Sequence, residues 1–202
     1  MSGARPRLGV LGGSFDPPHL AHLVIASEAA ARLGLERVLF VPACAPPHKE
    51  PGTRSPAALR LTMTELAVQE DMRFLASAIE IERGLAYTHD TLREVIARHP
   101  GHDVVFIMGS DSLLQFDGWH DPDDILALGR LVVAPRPGDD VAAVRRAATR
   151  WDSGRVTLLD SPLLDISSSL IRERVAAGLP VRYLVPDDVE LYIAEHRLYA
   201  AS

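Results

Sequence analysis

The residues best equipped for chemistry are His19 and His22, which close the stretch LGVLGGSFDPPHLAH, Leu8 to His22. Two imidazoles three apart in the first turn of a helix face the same way. So placed, they can bind a metal or hold phosphate oxygens. His-x-x-His without a nearby third ligand is a weak zinc pattern, and no HExxH occurs in the chain. The preceding residues favour the anion. Leu8, Val10 and Leu11 form a short apolar run that suits the first buried strand of a parallel sheet. Gly12 and Gly13 are expected to end that run in a turn, where glycine permits positive φ and lets a ligand approach the backbone. Ser14, Phe15, Asp16 and the Pro17-Pro18 pair then lead into a helix over Leu20–Arg32, with Leu23, Val24, Ala26, Ala30 and Leu33 near one side. The N-terminus of such a helix offers free N–H groups and a positive dipole end to phosphate. Neither GxGxxG nor GxxxxGK[ST] is present, so this is neither a dinucleotide fingerprint nor a P-loop.

A second constellation lies near the other end of the chain, at Ile166-Ser167-Ser168-Ser169-Leu170-Ile171-Arg172. It opens a helix that runs to about Ala177 and stops at Gly178. Three serines at a helix start are good N-caps, and their hydroxyls and N–H groups also make an anion site. Ser168 and Arg172 are four apart and can aim a hydroxyl and a guanidinium at one phosphate. The same residues read equally well as a capped surface helix with an exposed arginine.

The elements that must position these groups alternate. After the first helix, Gly34 is a stop and Arg37–Val41 a second buried strand. A loop rich in proline and glycine follows, with Pro46-Pro47-His48-Lys49 in it, and a cation on a proline-stiffened loop can reach an anion. A helix from Ser55 or Pro56 to Gln69 is predicted, then a short third strand over Phe74–Ala78, with Ile79–Ile81 as its exit. Thr88 and Asp90 stand near the start of a helix running to Arg98, where they can act as capping groups. Asp103–Met108 is the most convincing central strand, and it ends at Gly109-Ser110-Asp111-Ser112, at the strand end where open α/β sheets bind ligands. A short helix over Asp123–Leu128 and a fifth strand over Leu131–Ala134 follow. Arg136-Pro137-Gly138 is turn material; an amphipathic helix over Val141–Trp151 and a last strand over Val156–Leu159 complete the series. The final part reads as a short link and a helix over Asp187–Leu198, with His196 structural. This alternation specifies an α/β fold, a Rossmann-like doubly wound parallel sheet with helices on both faces and right-handed crossovers. We expect one domain over residues 1–202, with the C-terminal helical part, 166–202, carrying the serine-rich motif.

Composition sets limits. The 202 residues are enough to bury a substantial core, and 47% hydrophobic with 24% charged residues is ordinary globular material. A formal net charge of -6 argues against nucleic-acid binding through a broad basic surface, so phosphates must be held by local groups. Cys44 is the only cysteine; no intrachain disulfide is possible, which fits a reducing cytoplasm. No apolar run reaches membrane-spanning length, and Met1–Arg7 lacks a signal-peptide core.

Taken together, these residues carry a resemblance. GGSFDPPHLAH resembles the GG[ST]FDPxHxGH signature of the nucleotidyltransferase α/β-phosphodiesterase superfamily, and specifically of bacterial nicotinate-nucleotide adenylyltransferases; Ala21 stands where the family usually has glycine. ISSSLIR resembles the superfamily's ISSTxIR, with Ser169 keeping the hydroxyl of the threonine it replaces. PPHK, AYTHDTL, GSDSLLQFDGWH and the C-terminal YLVPxxVxxYIxxHxLY pattern are similar to further stretches of the family, so the likeness covers nearly the whole chain. The resemblance implies transfer of AMP from ATP to nicotinate mononucleotide, giving deamido-NAD and pyrophosphate. It implies that ATP is held by Gly12, Gly13, Ser14, Phe15, His19, His22, Gly109, Asp111, Ile166, Ser167, Ser168 and Arg172, of which His19, His22 and Arg172 are catalytic. It places Ser14, His48, Lys49, Thr88, Asp90 and Trp119 around the mononucleotide, with Trp119 stacked on the pyridine ring; read without the resemblance, Trp119 is a packing residue. Mg²⁺ is expected to ride on the ATP phosphates, with neither Asp16 nor Asp111 assigned as a metal ligand. No nucleic-acid or membrane partner is expected, and a homo-oligomer stays open. Nicotinamide mononucleotide or phosphopantetheine as acceptor, and a nucleotide-binding module without turnover, stand as alternatives.

Overall fold

A computed structural model describes residues 5–44, 55–151 and 154–200. Six strands alternate with helices: β1 (Arg7–Gly13), α1 (Leu20–Leu33), β2 (Leu35–Pro42), α2 (Ala57–Val68), β3 (Phe74–Ala76), α3 (Ile79–Arg83), α4 (Thr88–Arg98), β4 (Asp103–Gly109), α5 (Ser110–Leu114), α6 (Pro122–Leu128), β5 (Arg130–Ala134), α7 (Val141–Trp151), β6 (Val156–Leu158), α8 (Ser168–Ala176) and α9 (Asp187–Glu195). All strand pairs are parallel and the sheet order is β3-β2-β1-β4-β5-β6. This is the doubly wound Rossmann-like sheet expected. Its order reverses between β1 and β4, and the crevice outside the carboxyl ends of those two strands is where such sheets bind ligands.

The strands read as continuous apolar runs because helices cover both faces. Leu8, Val10, Val104, Phe106, Met108, Leu131 and Val133 point into one core with Leu92 and Val95 of α4 and Val144 of α7. The alternate residues Leu11, Val38, Phe40, Val105, Ile107 and Val132 point the other way, onto Ala26, Ala29 and Ala30 of α1. The side of α1 against the sheet is therefore an alanine stripe, Ala26, Ala29 and Ala30, with Leu23, Ile25 and Leu33 at its margin; Ala21, in the helix's first turn, is also buried. Small residues there let the helix lie close to β1 and β2. A third apolar cluster joins Met63 and Ala67 of α2 to Ile171 of α8 and Val189 and Ile193 of α9, which docks the C-terminal helices beside the sheet.

Four local expectations are corrected. Gly12 and Gly13 are not the turn: β1 continues through them, paired with Val41 and Pro42 of β2, and the positive φ that follows belongs to Phe15, at 47°. Gly13 serves for space instead, since a Cβ there would stand 3.1 Å from the Phe15 ring, whereas one on Gly12 would meet only Phe106, at an ordinary 3.5 Å. Ile79–Ile81 is not a strand exit but part of helix α3, closed by Gly84 in the left-handed region at φ 65°. Thr88 and Asp90 do not cap α4, because Tyr87 is the cap residue and no side chain closes that end. Of the three serines before Arg172, only Ser167 caps α8, accepting the Leu170 N–H at 3.1 Å.

Candidate active site

His19 is the N-cap residue of α1, extended at φ −148°, and His22 stands three residues on. The His19 backbone N–H donates to His22 Nδ1 at 3.1 Å. An Nδ1 that accepts cannot carry a proton, so the neutral His22 ring holds its proton on Nε2. The two imidazoles are stacked, with centroids 3.6 Å apart and planes 25° from parallel, and Phe15 meets His22 edge-on at 4.9 Å. Phe15 itself is buried, its ring against Phe40, so it supports His22 from beneath and presents no surface of its own to a nucleotide. Burial, reinforced by Arg136, lowers the His19 pKa to about 3; burial, His19 and Arg136 hold that of His22 well below 6.5. Desolvation and a stacked like charge both penalise the imidazolium. Both rings are neutral at pH 7, and His19 Nδ1 is buried without a hydrogen-bond partner among the described residues.

The serine-rich motif meets this pair on the loop between β1 and α1. Ser168 Oγ donates to Pro17 O at 2.8 Å, and Arg172 Nη1 donates to Asp16 O, also at 2.8 Å. Arg172 Nη2 donates to Ser169 Oγ at 3.1 Å. Ser168 and Arg172 thus both bond the backbone of the loop that ends at His19, where their spacing had suggested a shared phosphate. Ile166 packs partly buried in the C-terminal cluster. Asp16 is fully buried: one carboxylate oxygen accepts from Tyr199 Oη at 2.6 Å, the other from the Ser55 N–H at 3.2 Å.

On the β4 side, a Cβ on Gly109 would lie 2.5 Å from Asp111 Oδ1 and 3.0 Å from Arg136 Nε, so a side chain there would push these two groups aside. Asp111 and Arg136 form an ion pair at 3.1 Å across it. Arg136 was read from the sequence as turn material. It follows β5, whose carboxyl end also borders the crevice, and applying the strand-end rule to that strand as well would have found it.

The residues expected around the mononucleotide are spread over three segments. Ser14, half-buried, follows β1 and gives its carbonyl to Arg60. Thr88 and Asp90 lie in the first turn of α4, where Asp90 Oδ1 stands 3.1 Å from His89 Nδ1. With no side-chain cap, the N–H groups of that turn stay open to a carboxylate. Trp119 packs edge-on against Phe116 at 5.4 Å and Phe106 at 6.3 Å and remains partly exposed, which joins the packing reading to an open ring. His48 and Lys49 lie outside the described residues.

The chain is similar to known proteins over most of its length. A cytidylyltransferase-like family model matches residues 10–174. A protein of Symbiobacterium thermophilum named "Probable nicotinate-nucleotide adenylyltransferase" is 43% identical over 197 residues, covering 96% of this chain and 95% of the relative. A Saccharopolyspora erythraea protein of the same name is 43% identical over 196 residues, 96% of this chain and 90% of its own. Among solved structures, Plasmodium falciparum nicotinic acid mononucleotide adenylyltransferase complexed with NaAD shares the fold, with a TM-score of 0.79 at 17% identity over 96% of this chain and 97% of that one. The chain belongs to the cytidylyltransferase-like family and, within it, to the nicotinate-nucleotide adenylyltransferases.

Proposed function

We propose that this protein transfers AMP from ATP to nicotinate mononucleotide, giving deamido-NAD and pyrophosphate. The observation that carries this reading is the joining of the two motifs: Ser168 and Arg172 of α8 bonded to the backbone of the loop that presents His19 and His22, beside the β1–β4 switch point. The acceptor's phosphate, ionised at neutral pH, is itself the nucleophile, so the protein needs no strong base. Its task is to bring two polyanions into line and stabilise charge at the α-phosphorus. His22, held with Nε2–H outward by the His19 N–H, donates to a phosphate oxygen, and His19 does so from the neighbouring ring. The N-terminus of α1 lies beneath both. Two of the five N–H groups of Arg172 are bonded to Asp16 O and Ser169 Oγ, which leaves three for the β- and γ-phosphates. Gly109 and Asp111 border the nucleoside, and Trp119 offers its open face to the pyridine.

Mg²⁺, brought on the ATP phosphates, supplies charge screening there. The donor set fits such a carried ion: Asp16 is taken up by Tyr199 and Ser55, Asp111 by Arg136, and no group of three or more His, Cys, Asp or Glu side chains with metal-binding geometry occurs among the described residues. We assign the protein to the cytoplasm; the single cysteine supports this, as does the lack, among the described residues, of any helix long and apolar enough to cross a membrane. The test is pyrophosphate release from ATP and Mg²⁺ with nicotinate mononucleotide, nicotinamide mononucleotide or phosphopantetheine. Fastest release with the first is expected. Equal rates with the two pyridine nucleotides would sink the acid preference, and no release with any acceptor would leave a nucleotide-binding module.

A further inference from the structure

Two buried charged side chains outside the sequence motifs connect the segments that surround the acceptor. Arg60, at 2% exposure, projects from α2 beneath the crevice. Its Nη1 donates to Ser14 O at 2.8 Å, its Nη2 to Ala43 O at 2.6 Å and Cys44 O at 3.3 Å, and its Nε to Ser55 O at 3.0 Å. One guanidinium therefore fixes the loop after β1, the end of β2 and the entry to α2. Cys44 is also held from the opposite direction: its N–H donates to Glu80 Oε2 at 3.2 Å. The other oxygen of that carboxylate accepts from Thr91 Oγ1 of α4 at 2.8 Å. Thr91, itself buried, follows Thr88 and Asp90 by less than one turn.

A buried arginine with four carbonyl partners is an expensive arrangement if stability alone is at issue, since apolar packing would hold α2 against the sheet without desolvating a charge. What the fork provides that apolar packing cannot is fixed direction. Its planar donors set the relative positions of backbone groups from three separate segments. Glu80 does the same between Cys44 and α4.

We propose that Arg60 and Glu80 are positioning residues of the mononucleotide site, coupling Ser14, Ala43–Cys44 and the start of α4 into one rigid frame. Neither touches substrate. Arg60 acts through the Ser14 backbone, and Glu80 acts through Thr91 on the open turn that carries Thr88 and Asp90. The inference rests on the acceptor assignment made above. Losing the frame lets the acceptor's carboxylate and phosphate subsites drift apart, and misplacement on the order of 1 Å is enough to cost about a hundredfold in rate.

The test is steady-state kinetics with both substrates varied, below the melting transition of every variant. Glu80→Ala is expected to raise the KM for nicotinate mononucleotide by about tenfold or more while leaving that for ATP within about twofold. Glu80→Gln keeps an acceptor for Cys44 and a donor for Thr91, whose hydroxyl then turns to Tyr87 O, an acceptor it already reaches at 3.2 Å; this variant restores the acceptor KM. Thr91→Val removes one hydroxyl without changing side-chain volume, so it folds even where Glu80→Ala does not, and it shifts the acceptor KM in the same direction. Arg60→Lys keeps the charge, loses the fork and lowers kcat. Wild-type acceptor KM in both Glu80→Ala and Thr91→Val, with reduced thermal stability only, would show a merely structural role and overturn the proposal. No turnover of nicotinate mononucleotide by the wild-type enzyme would overturn the acceptor reading and this inference with it; turnover with unaltered KM values in the variants overturns the inference alone.

Discussion

Replacing His19 by Asn isolates the energetic consequence of a buried, uncharged histidine. In the folded protein its pKa is lowered to about 3 from 6.5, chiefly by burial and secondarily by Arg136. A depressed pKa means that the unfolded chain binds the proton more tightly. Stability is therefore complete above pH 6.5 and is lost as pH falls from there toward 3. Each pH unit in that window costs about 1.4 kcal/mol for one site, so at pH 5 His19 alone destabilises the protein by about 2 kcal/mol relative to pH 7. His22 adds in the same direction. Asn is a strong N-cap residue and keeps the start of α1 intact, so His19→Asn removes the titration without removing the helix. The assay is urea unfolding at pH 7 and pH 5 for both proteins. The loss of stability between the two pH values should be smaller in the variant by about 2 kcal/mol. Equal losses would show that His19 is protonated without penalty in the folded state, and the neutral-pair account of the site would fall.

Three further outcomes follow from the same geometry. His22→Ala should lower kcat far more than it weakens ATP binding, read from steady-state rates beside calorimetric affinity; near-normal turnover would remove the ring from the reaction. Trp119→Ala should raise the KM for the mononucleotide and leave that for ATP unchanged, and the reverse pattern would put the ring on the wrong substrate. Tyr199→Phe takes one of the two donors from the buried Asp16 carboxylate and should cost about 2 kcal/mol in urea unfolding, whereas an unchanged midpoint would mean that another donor replaces the phenol.

The sheet was legible because its strands are buried on both faces and so appear as unbroken apolar runs between helical periods. The two motifs were legible through their resemblance to GG[ST]FDPxHxGH and ISSTxIR; taken alone, the serine-rich stretch read equally well as a capped surface helix. Details set by packing were less so. The glycine pair looked like a turn, yet it lies within β1, Gly13 leaving room for the Phe15 ring, and the strained φ falls on the aromatic residue. Thr88 and Asp90 looked like caps because their types suit that role, but the chain places Tyr87 at the cap position. Tyr199 reaches Asp16 from the far end of the chain, and no local pattern marks it; Arg136 was marked only by its place just after β5. Arg60 did leave a trace: it occupies the inward stripe of α2 with Met63, Thr64 and Ala67, where a charge is costly unless it is fully bonded. A charged residue at a core position of a periodic helix is a signal that the motif reading passed over.

The neutral histidine pair also bears on how two polyanions are brought together by a chain of net charge -6. A site lined by fixed cations would bind ATP tightly before reaction and hold pyrophosphate equally tightly after it. Here two imidazoles are uncharged, Arg136 is paired with Asp111, and Arg172 is tied to the Asp16 carbonyl. Positive charge is thus partly compensated until phosphates arrive. In the mechanism proposed above, neutral N–H donors and a helix N-terminus would stabilise charge that develops at the α-phosphorus without a matching gain for the ground state, which is the condition for raising kcat and not only affinity. In the proposed reading, ATP bound next to His19 and His22 would raise their proton affinity, because a nearby negative charge favours the imidazolium. On that proposal the histidines respond to the substrate's charge, while Arg136 and Arg172 keep it in register.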